Sequence, residues 1–298
     1  MILVCGSLGD RVLAYTLYML EKSQYSYCFI DELQYPKGYE ISWRYNHGQP
    51  QGKIKSADFE IDIAEITGIY VRHVSPEQED APNHSKLEYL QALDLVINSA
   101  PCKVVNRAHS QLSNGSKPYQ SLILRRNGFK TPRTLITNVP GEVEKFIQRC
   151  NGKVIFKSIS GVRSIVQEVD KARFEELGLV ENCVTQFQEY IEGTEIRVHV
   201  VENEVFATEI ISEATDYRYA SREGHETKMK PVTLPKNIND KCIAITKSLG
   251  LTMSGIDLRC TSSGDYYCFE VNPSPGYSYY ELNTGQQISR ALIDILRN

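Results

Sequence analysis

Residues 254–276 read SGIDLRCTSSGDYYCFEVNPSPG, and their pattern predicts a β-hairpin. The segments 252–260 and 266–272 carry the branched and aromatic residues that suit strands. Between them, Ser262-Ser263-Gly264-Asp265 is a cluster of turn formers. With Thr261 paired to Tyr266 across that turn, counting back along both strands sets Asp257 opposite Glu270. Alternate residues of a strand share a face, so Asn272 projects on the side of Glu270. Pro273-Ser274-Pro275-Gly276 then fixes the backbone just after it.

One face of this hairpin therefore presents two carboxylates and a carboxamide. Like charges placed directly opposite repel by ~0.2–1 kcal/mol, and a cation between them reverses that sign. Mg²⁺ suits such a set, because it takes one or two carboxylates and completes its shell with water and phosphate oxygens. The hairpin by itself is equally compatible with a solvated edge whose charges are screened. The apolar neighbours on either side, in SGIDLRC and YYCFEVN, favour the metal.

Working outward, residues 1–105 alternate strand and helix. Ile2–Cys5 is an apolar run, and Val12, Leu13, Leu17 and Leu20 mark a helix. Strands are expected at 25–30 and 68–71, and a helix over 86–100 with Leu87, Leu90, Leu93 and Ile97 on one face. This alternation implies a small parallel sheet. The Gly6-x-x-Gly9 turn is one glycine short of a dinucleotide fingerprint, with no acidic residue expected at the right place on a clear second strand, so it reads as an ordinary strand-to-helix turn. The stretch 32–60 is polar and irregular, with a hairpin expected around His47-Gly48.

A second module, 106–190, opens with Ser113-Asn114-Gly115-Ser116, where Ser116 caps a helix that ends at Asn127-Gly128. A helix over 140–150, a strand at 153–157, the small-residue loop Ser158–Ser164 (SISGVRS) and a strand at 183–190 follow. The third module, 191–298, has a hairpin turning at Glu202-Asn203, a turn-rich loop over 212–230, and a helix over 238–249. The hairpin quoted above comes next, and a single helix over 284–296 closes the chain.

Composition narrows the function classes. The 298 residues carry a net charge of −4, which argues against a generic nucleic-acid binder. No apolar run approaches the ~20 residues of a membrane span, so no membrane partner is expected. The N-terminus MILVCGSLGD has no basic n-region. Eight cysteines without a C-x-x-C, in a chain lacking an export signal, fit a reducing cytoplasm. The six histidines lack zinc-site spacing.

Two lysines complete the pattern. Lys157 abuts the SISGVRS loop and Lys117 follows Ser116 at a helix start, and each is placed to offer an ammonium group to phosphates. With Gln188-Glu189-Tyr190-Ile191, Glu195-x-Arg197, Gly255-Ile256-Asp257-Leu258 and Glu270-Val271-Asn272-x-x-Pro275-Gly276 following in order, the chain resembles the ATP-grasp superfamily. The resemblance is strongest to the ribosomal protein S6 glutamate ligase branch and to the graspetide ligases that crosslink ribosomal peptides. It implies an α/β (α+β) ATP-grasp fold: a parallel-sheet N-terminal domain, then a central lid subdomain and a C-terminal subdomain that clasp ATP between them.

The resemblance also implies roles. Lys117 and Lys157, with Ser160 and Gly161 of the loop, would contact ATP phosphates. Gln188, Glu189, Tyr190 and Ile191 would line the adenine pocket, mainly through backbone groups, and Glu195 would hold the ribose. Arg197 and Arg218 would face the phosphates or an acyl-phosphate. Asp257, Glu270 and Asn272 would hold two Mg²⁺ ions, with Mn²⁺ as a substitute. The implied reaction joins an amino-acid or peptide carboxylate to an amine or hydroxyl. Peptide macrocyclisation and a non-catalytic nucleotide-binding scaffold are the alternatives, and a homo-oligomer is compatible with each. The sequence departs from the S6-ligase branch in a short Glu192-Gly193-Thr194 link and in a loop with a single glycine, where Arg163 is either a phosphate contact or a surface residue. His199 shares the strand face of Arg197 and reads as a packed histidine or a base for the incoming amine.

Overall fold

The computed structural model describes residues 1–47, 49–73, 84–157, 167–168, 177–212 and 227–298. The first strand, β1 (Ile2–Gly6), runs into α1 (Arg11–Lys22), whose entry is capped by Asp10 accepting from Val12 N and Leu13 N. After β2 (Tyr27–Asp31) come β3 (Glu40–Asn46), β4 (Gln49–Lys55) and β5 (Glu60–Asp62), then β6 (Gly68–Arg72), α2 (His84–Asn98) and β7 (Lys103–Val105). β2, β1, β6 and β7 form a parallel sheet in that order, as the strand–helix alternation implied.

The polar stretch 32–60 is more regular than expected. β3, β4 and β5 make an antiparallel sheet of their own, with the expected hairpin joining Asn46 to Gln49. Tyr35, Tyr39 and Phe59 join the leading core from outside the strands, and within the strands Ile41, Trp43, Ile54 and Ile61 do so. That leaves too few apolar residues for the alternation to stand out in sequence.

The middle of the chain contains α3 (Lys117–Arg126), β8 (Thr134–Thr137), α4 (Pro140–Arg149), β9 (Val154–Lys157), β10 (Gln167–Glu168) and β11 (Thr185–Glu189). The strands make an antiparallel sheet in the order β10-β9-β11-β8, and α4 covers it through Val143, Phe146 and Ile147. α3 packs elsewhere: its Leu124 joins Phe129 in the core of the last sheet.

That last sheet takes β12 (Thr194–Val201), β13 (Glu204–Ser212), β14 (Thr227–Val232), β15 (Met253–Cys260) and β16 (Tyr266–Asn272) in the order β14-β13-β12-β15-β16. β12 and β13 turn at Glu202-Asn203 as expected. β14 begins inside the stretch 212–230 that was expected to be a loop, because its pairing with β13 supplies the order that its own polar sequence does not. One face of the sheet, with Ile196, Val198, Ile256, Leu258 and Val271, packs on α5 (Lys236–Ser248) and α3.

The chain ends in two helices rather than one, α6 (Ser278–Thr284) and α7 (Ile288–Arg297). Gly285 adopts φ 71°, which terminates α6, and the buried Glu281 accepts from Ser289 N at 2.6 Å to begin α7. α7 returns to the leading sheet: Leu292 and Leu296 share a core with Ile2, Val4 and Leu13. A Cβ at Gly68 would stand 2.4 Å from Leu296 O, so glycine permits that close approach. No helix among the described residues is long and apolar enough to cross a membrane.

Candidate active site

The face of the last sheet opposite its apolar core is polar. Register places Glu195, Arg197 and His199 of β12 beside Arg259, Asp257 and Gly255 of β15, and Asp257 beside Glu270 of β16. Asn272 is the cross-strand partner of Gly255. The two carboxylates and the carboxamide thus share one face, as the hairpin reading expected.

The turn that leads there differs from expectation. Tyr266 pairs with Cys260, not with Thr261, so the loop is one residue longer. A bulge then follows: Leu258 pairs with Cys268 while Asp257 pairs with Glu270, and Phe269 is the extra residue. The two offsets cancel, so the facing pair is right although its derivation from the turn was not. Without the bulge, Glu270 would turn to the apolar face.

Arg197 is buried and its Nη1 lies 2.5 Å from Asp257 Oδ1. Its guanidinium passes over Gly255, where a Cβ would stand 2.1 Å from Nη2 and 2.6 Å from Pro275 Cβ. Tyr280 covers the arginine on the other side, with its ring centroid 5.8 Å from Cζ. Asn272 Oδ1 accepts from Ser274 N at 2.8 Å, which fixes the amide orientation and leaves a second lone pair on the oxygen. Asp257, 38% exposed in its side chain, Glu270 and Asn272 together offer hard oxygen donors in an environment that is still net negative after Arg197 is counted. This donor chemistry fits Mg²⁺.

His199 is fully buried and packs edge-on against Tyr280 at 4.8 Å. Burial, reinforced by the charge of Arg197, pushes its pKa well below the ordinary value, so the ring is neutral. This is the packed histidine of the two readings. Of the tyrosines near the C-terminus, Tyr277 is core, bonded to Thr16 Oγ1 at 2.7 Å, while Tyr279 is exposed.

Beside this face lies the segment that joins β11 to β12. Gln188 is buried and donates to Thr134 Oγ1 at 3.2 Å. The Glu189 carboxylate is gripped by Arg133, through Nη2 at 2.8 Å and Nε at 3.1 Å, and these bonds hold its pKa below the usual carboxylate value. Glu189 thus faces away through its side chain, and its backbone N–H donates to Arg133 O. Tyr190 N donates to Lys153 O, and the buried Ile191 offers its carbonyl to Arg259 Nη1 at 2.8 Å. Arg259 also pairs with Glu195 and stands 5.5 Å from the ring centroids of both Tyr190 and Phe269.

Lys117 is the first residue of α3 and Lys157 the last of β9. Ser160, Gly161, Arg163 and Arg218 lie outside the described residues, as does most of the expected loop over 212–230. Two functional candidates escaped the sequence reading. Arg259 was signalled only by standing two residues beyond Asp257, on the same strand face. Gln120 was signalled only by standing one helical turn beyond Lys117.

Residues 116–296 match the model of the RimK-like ATP-grasp domain. A probable alpha-L-glutamate ligase of Vibrio parahaemolyticus is 28% identical over 183 residues, and one of Coxiella burnetii is 31% identical over 185. Each match covers 58% of this chain, and the chain spans about 60% of the length of these curated relatives. Among solved structures, the ATP-grasp ligase PsnB, complexed with a variant of its minimal precursor, Mg and ADP, superposes with a TM-score of 0.83 at 22% identity, covering 99% of this chain and 97% of that one. The macrocyclase MdnC of Microcystis aeruginosa, bound with its precursor peptide, gives 0.78 at 21% identity with both chains fully covered. The architecture is the ATP-grasp fold, as expected.

Proposed function

The chain belongs to the RimK-like ATP-grasp family, and from that premise we propose that it is an ATP-dependent ligase joining the carboxylate of an amino acid or peptide to an amine. The observation that carries this reading is the facing pair Asp257 and Glu270, with Asn272 on the same face and Arg197 against Asp257. A carboxylate is a poor electrophile because its leaving group would be oxide. Transfer of the γ-phosphoryl group of ATP to a carboxylate oxygen, with ADP leaving, makes an acyl-phosphate. The amine nitrogen then attacks the acyl carbon, inorganic phosphate departs, and the nitrogen loses a proton. Such a reaction asks for positioning and charge neutralisation rather than an enzyme nucleophile.

Two Mg²⁺ ions, or Mn²⁺ in their place, would be held by Asp257, Glu270 and Asn272 and would neutralise phosphate charge when bound. Lys117, Lys157, Ser160 and Gly161 surround the phosphates in this reading. Gln188 to Ile191 receive the adenine along the backbone, and Glu195, steadied by Arg259, receives the ribose. Arg197 and Arg218 act on the transferred group. In this reading 1–105 is the leading domain, 106–190 the lid apart from α3, which packs on the last sheet, and 191–298 the metal-bearing subdomain.

The extent of the likeness to PsnB and MdnC, which takes in the leading 105 residues, supports a second reading: crosslinking of side chains within one peptide. Phosphate release with a panel of amino acids and peptides, followed by product mass, separates the two. Gain of an amino-acid residue means ligation, and loss of water from a peptide means crosslinking. Asp257→Asn and Glu270→Gln should each lower turnover by at least ~100-fold while the fold persists. Full turnover in both variants would sink Asp257 and Glu270 as metal ligands, and no substrate-stimulated phosphate release at all would sink the ligase reading and leave a nucleotide-binding scaffold.

A further inference from the structure

Gln120 lies in α3, three residues after Lys117, and is 2% exposed. Its amide makes both bonds of a missing strand: Nε2 donates to Val271 O at 2.8 Å, and Oε1 accepts from Val271 N at 2.9 Å. Val271 stands between Glu270 and Asn272 on β16, the edge strand of its sheet. It is fully buried, so its backbone groups need partners that water does not supply.

The position relative to the bulge matters. Phe269 interrupts the ladder with β15 immediately before Glu270. On the outer edge the strand is held on both sides of that interruption, by Lys130 O accepting from Cys268 N at 2.8 Å and by Gln120 at Val271. A side-chain amide that reads both N–H and C=O of one residue admits a single register. A slip by one residue would exchange the faces of Val271 and its two polar neighbours.

We propose that Gln120 is a positioning residue for the metal-binding strand, holding Glu270 and Asn272 toward the site from the same helix that begins with Lys117. Phosphate lysine and metal ligands are thereby mounted on one rigid unit. This rests on the ligase reading above, through the metal role of Glu270 and Asn272.

The test reads metal binding rather than turnover. Mn²⁺ binding to the full chain in the presence of ADP is followed by electron paramagnetic resonance, for the wild type, Gln120→Met and Gln120→Asn. Amide hydrogen exchange of the wild type is followed across β16. Folded variants should bind Mn²⁺ roughly tenfold or more weakly, with metal-free ADP binding unchanged. A folded Gln120→Met protein that binds Mn²⁺ as the wild type does overturns the proposal and leaves the ligase reading intact. A wild type that binds no Mn²⁺ with ADP overturns both. Should neither variant fold, exchange decides: a Val271 amide as slow as those of β15 supports the clamp, and one as fast as an open edge refutes it.

Discussion

His73 shows how two carboxylates overrule burial. Its Nδ1 lies 2.8 Å from Glu32 Oε1 and its Nε2 lies 3.2 Å from Asp94 Oδ1, with Glu32 fully buried. Burial alone would lower the imidazole pKa, but the bonds to Asp94 and Glu32 outweigh it and raise the value from 6.5 to about 9. A group whose pKa is higher folded than unfolded stabilises fully below its unfolded value, and loses that stabilisation as pH rises through the folded one. The melting temperature should therefore fall between about pH 6 and about pH 10, and His73→Gln should flatten that slope. An unchanged slope in the variant would show that the cluster is not its source. His199 behaves oppositely: buried beside a positive charge rather than a negative one, it stays neutral.

At the scale of elements, the segment after β7 ties the leading sheet to the hairpin of β15 and β16. The buried Asn106 donates through Nδ2 to Met253 O at 2.7 Å and to Pro273 O at 2.5 Å, and its Oδ1 accepts from Thr252 N and Met253 N. One side chain thus spans the start of β15 and the end of β16. From the leading sheet, Arg72 of β6 adds a second tie, donating to Asp10, to Ser274 Oγ at 3.0 Å and to Pro275 O. Asn106→Ala leaves these backbone groups unpaired and should cost about 2–4 kcal/mol in urea unfolding. A cost under about 0.5 kcal/mol would mean that water or relaxation replaces the side chain.

Across the whole molecule, the leading sheet, through Arg72, and the returning α7 both adjoin the last sheet. Ligands that bind only the folded chain stabilise it by mass action, by about 2.7 kcal/mol at a concentration a hundredfold above Kd. ADP with Mg²⁺ should therefore raise the melting temperature above that with ADP alone. The Mg²⁺-dependent part should vanish in Asp257→Asn and persist in His73→Gln. Equal shifts with and without Mg²⁺ would argue against Asp257, Glu270 and Asn272 as the metal set.

Much of this was legible from local pattern. Strand alternation determined that Glu270 and Asn272 share a face, Asp257 came opposite Glu270 because two offsets cancel, and the order of motifs from Ser116 to Gly276 carried the family resemblance that implied the fold. The bulge at Phe269 was not legible, since nothing in YYCFEVN marks which residue is left unopposed until β15 lies beside it. The split between α6 and α7 depended on the conformation of Gly285 and on the buried Glu281. Arg259, Gln120 and Asn106 were hidden for a common reason: each acts on backbone groups far away in sequence, and such partners exist only once the chain is packed. The carboxylates at the site were written in the sequence, while the groups that hold them in place were decided by the tertiary structure.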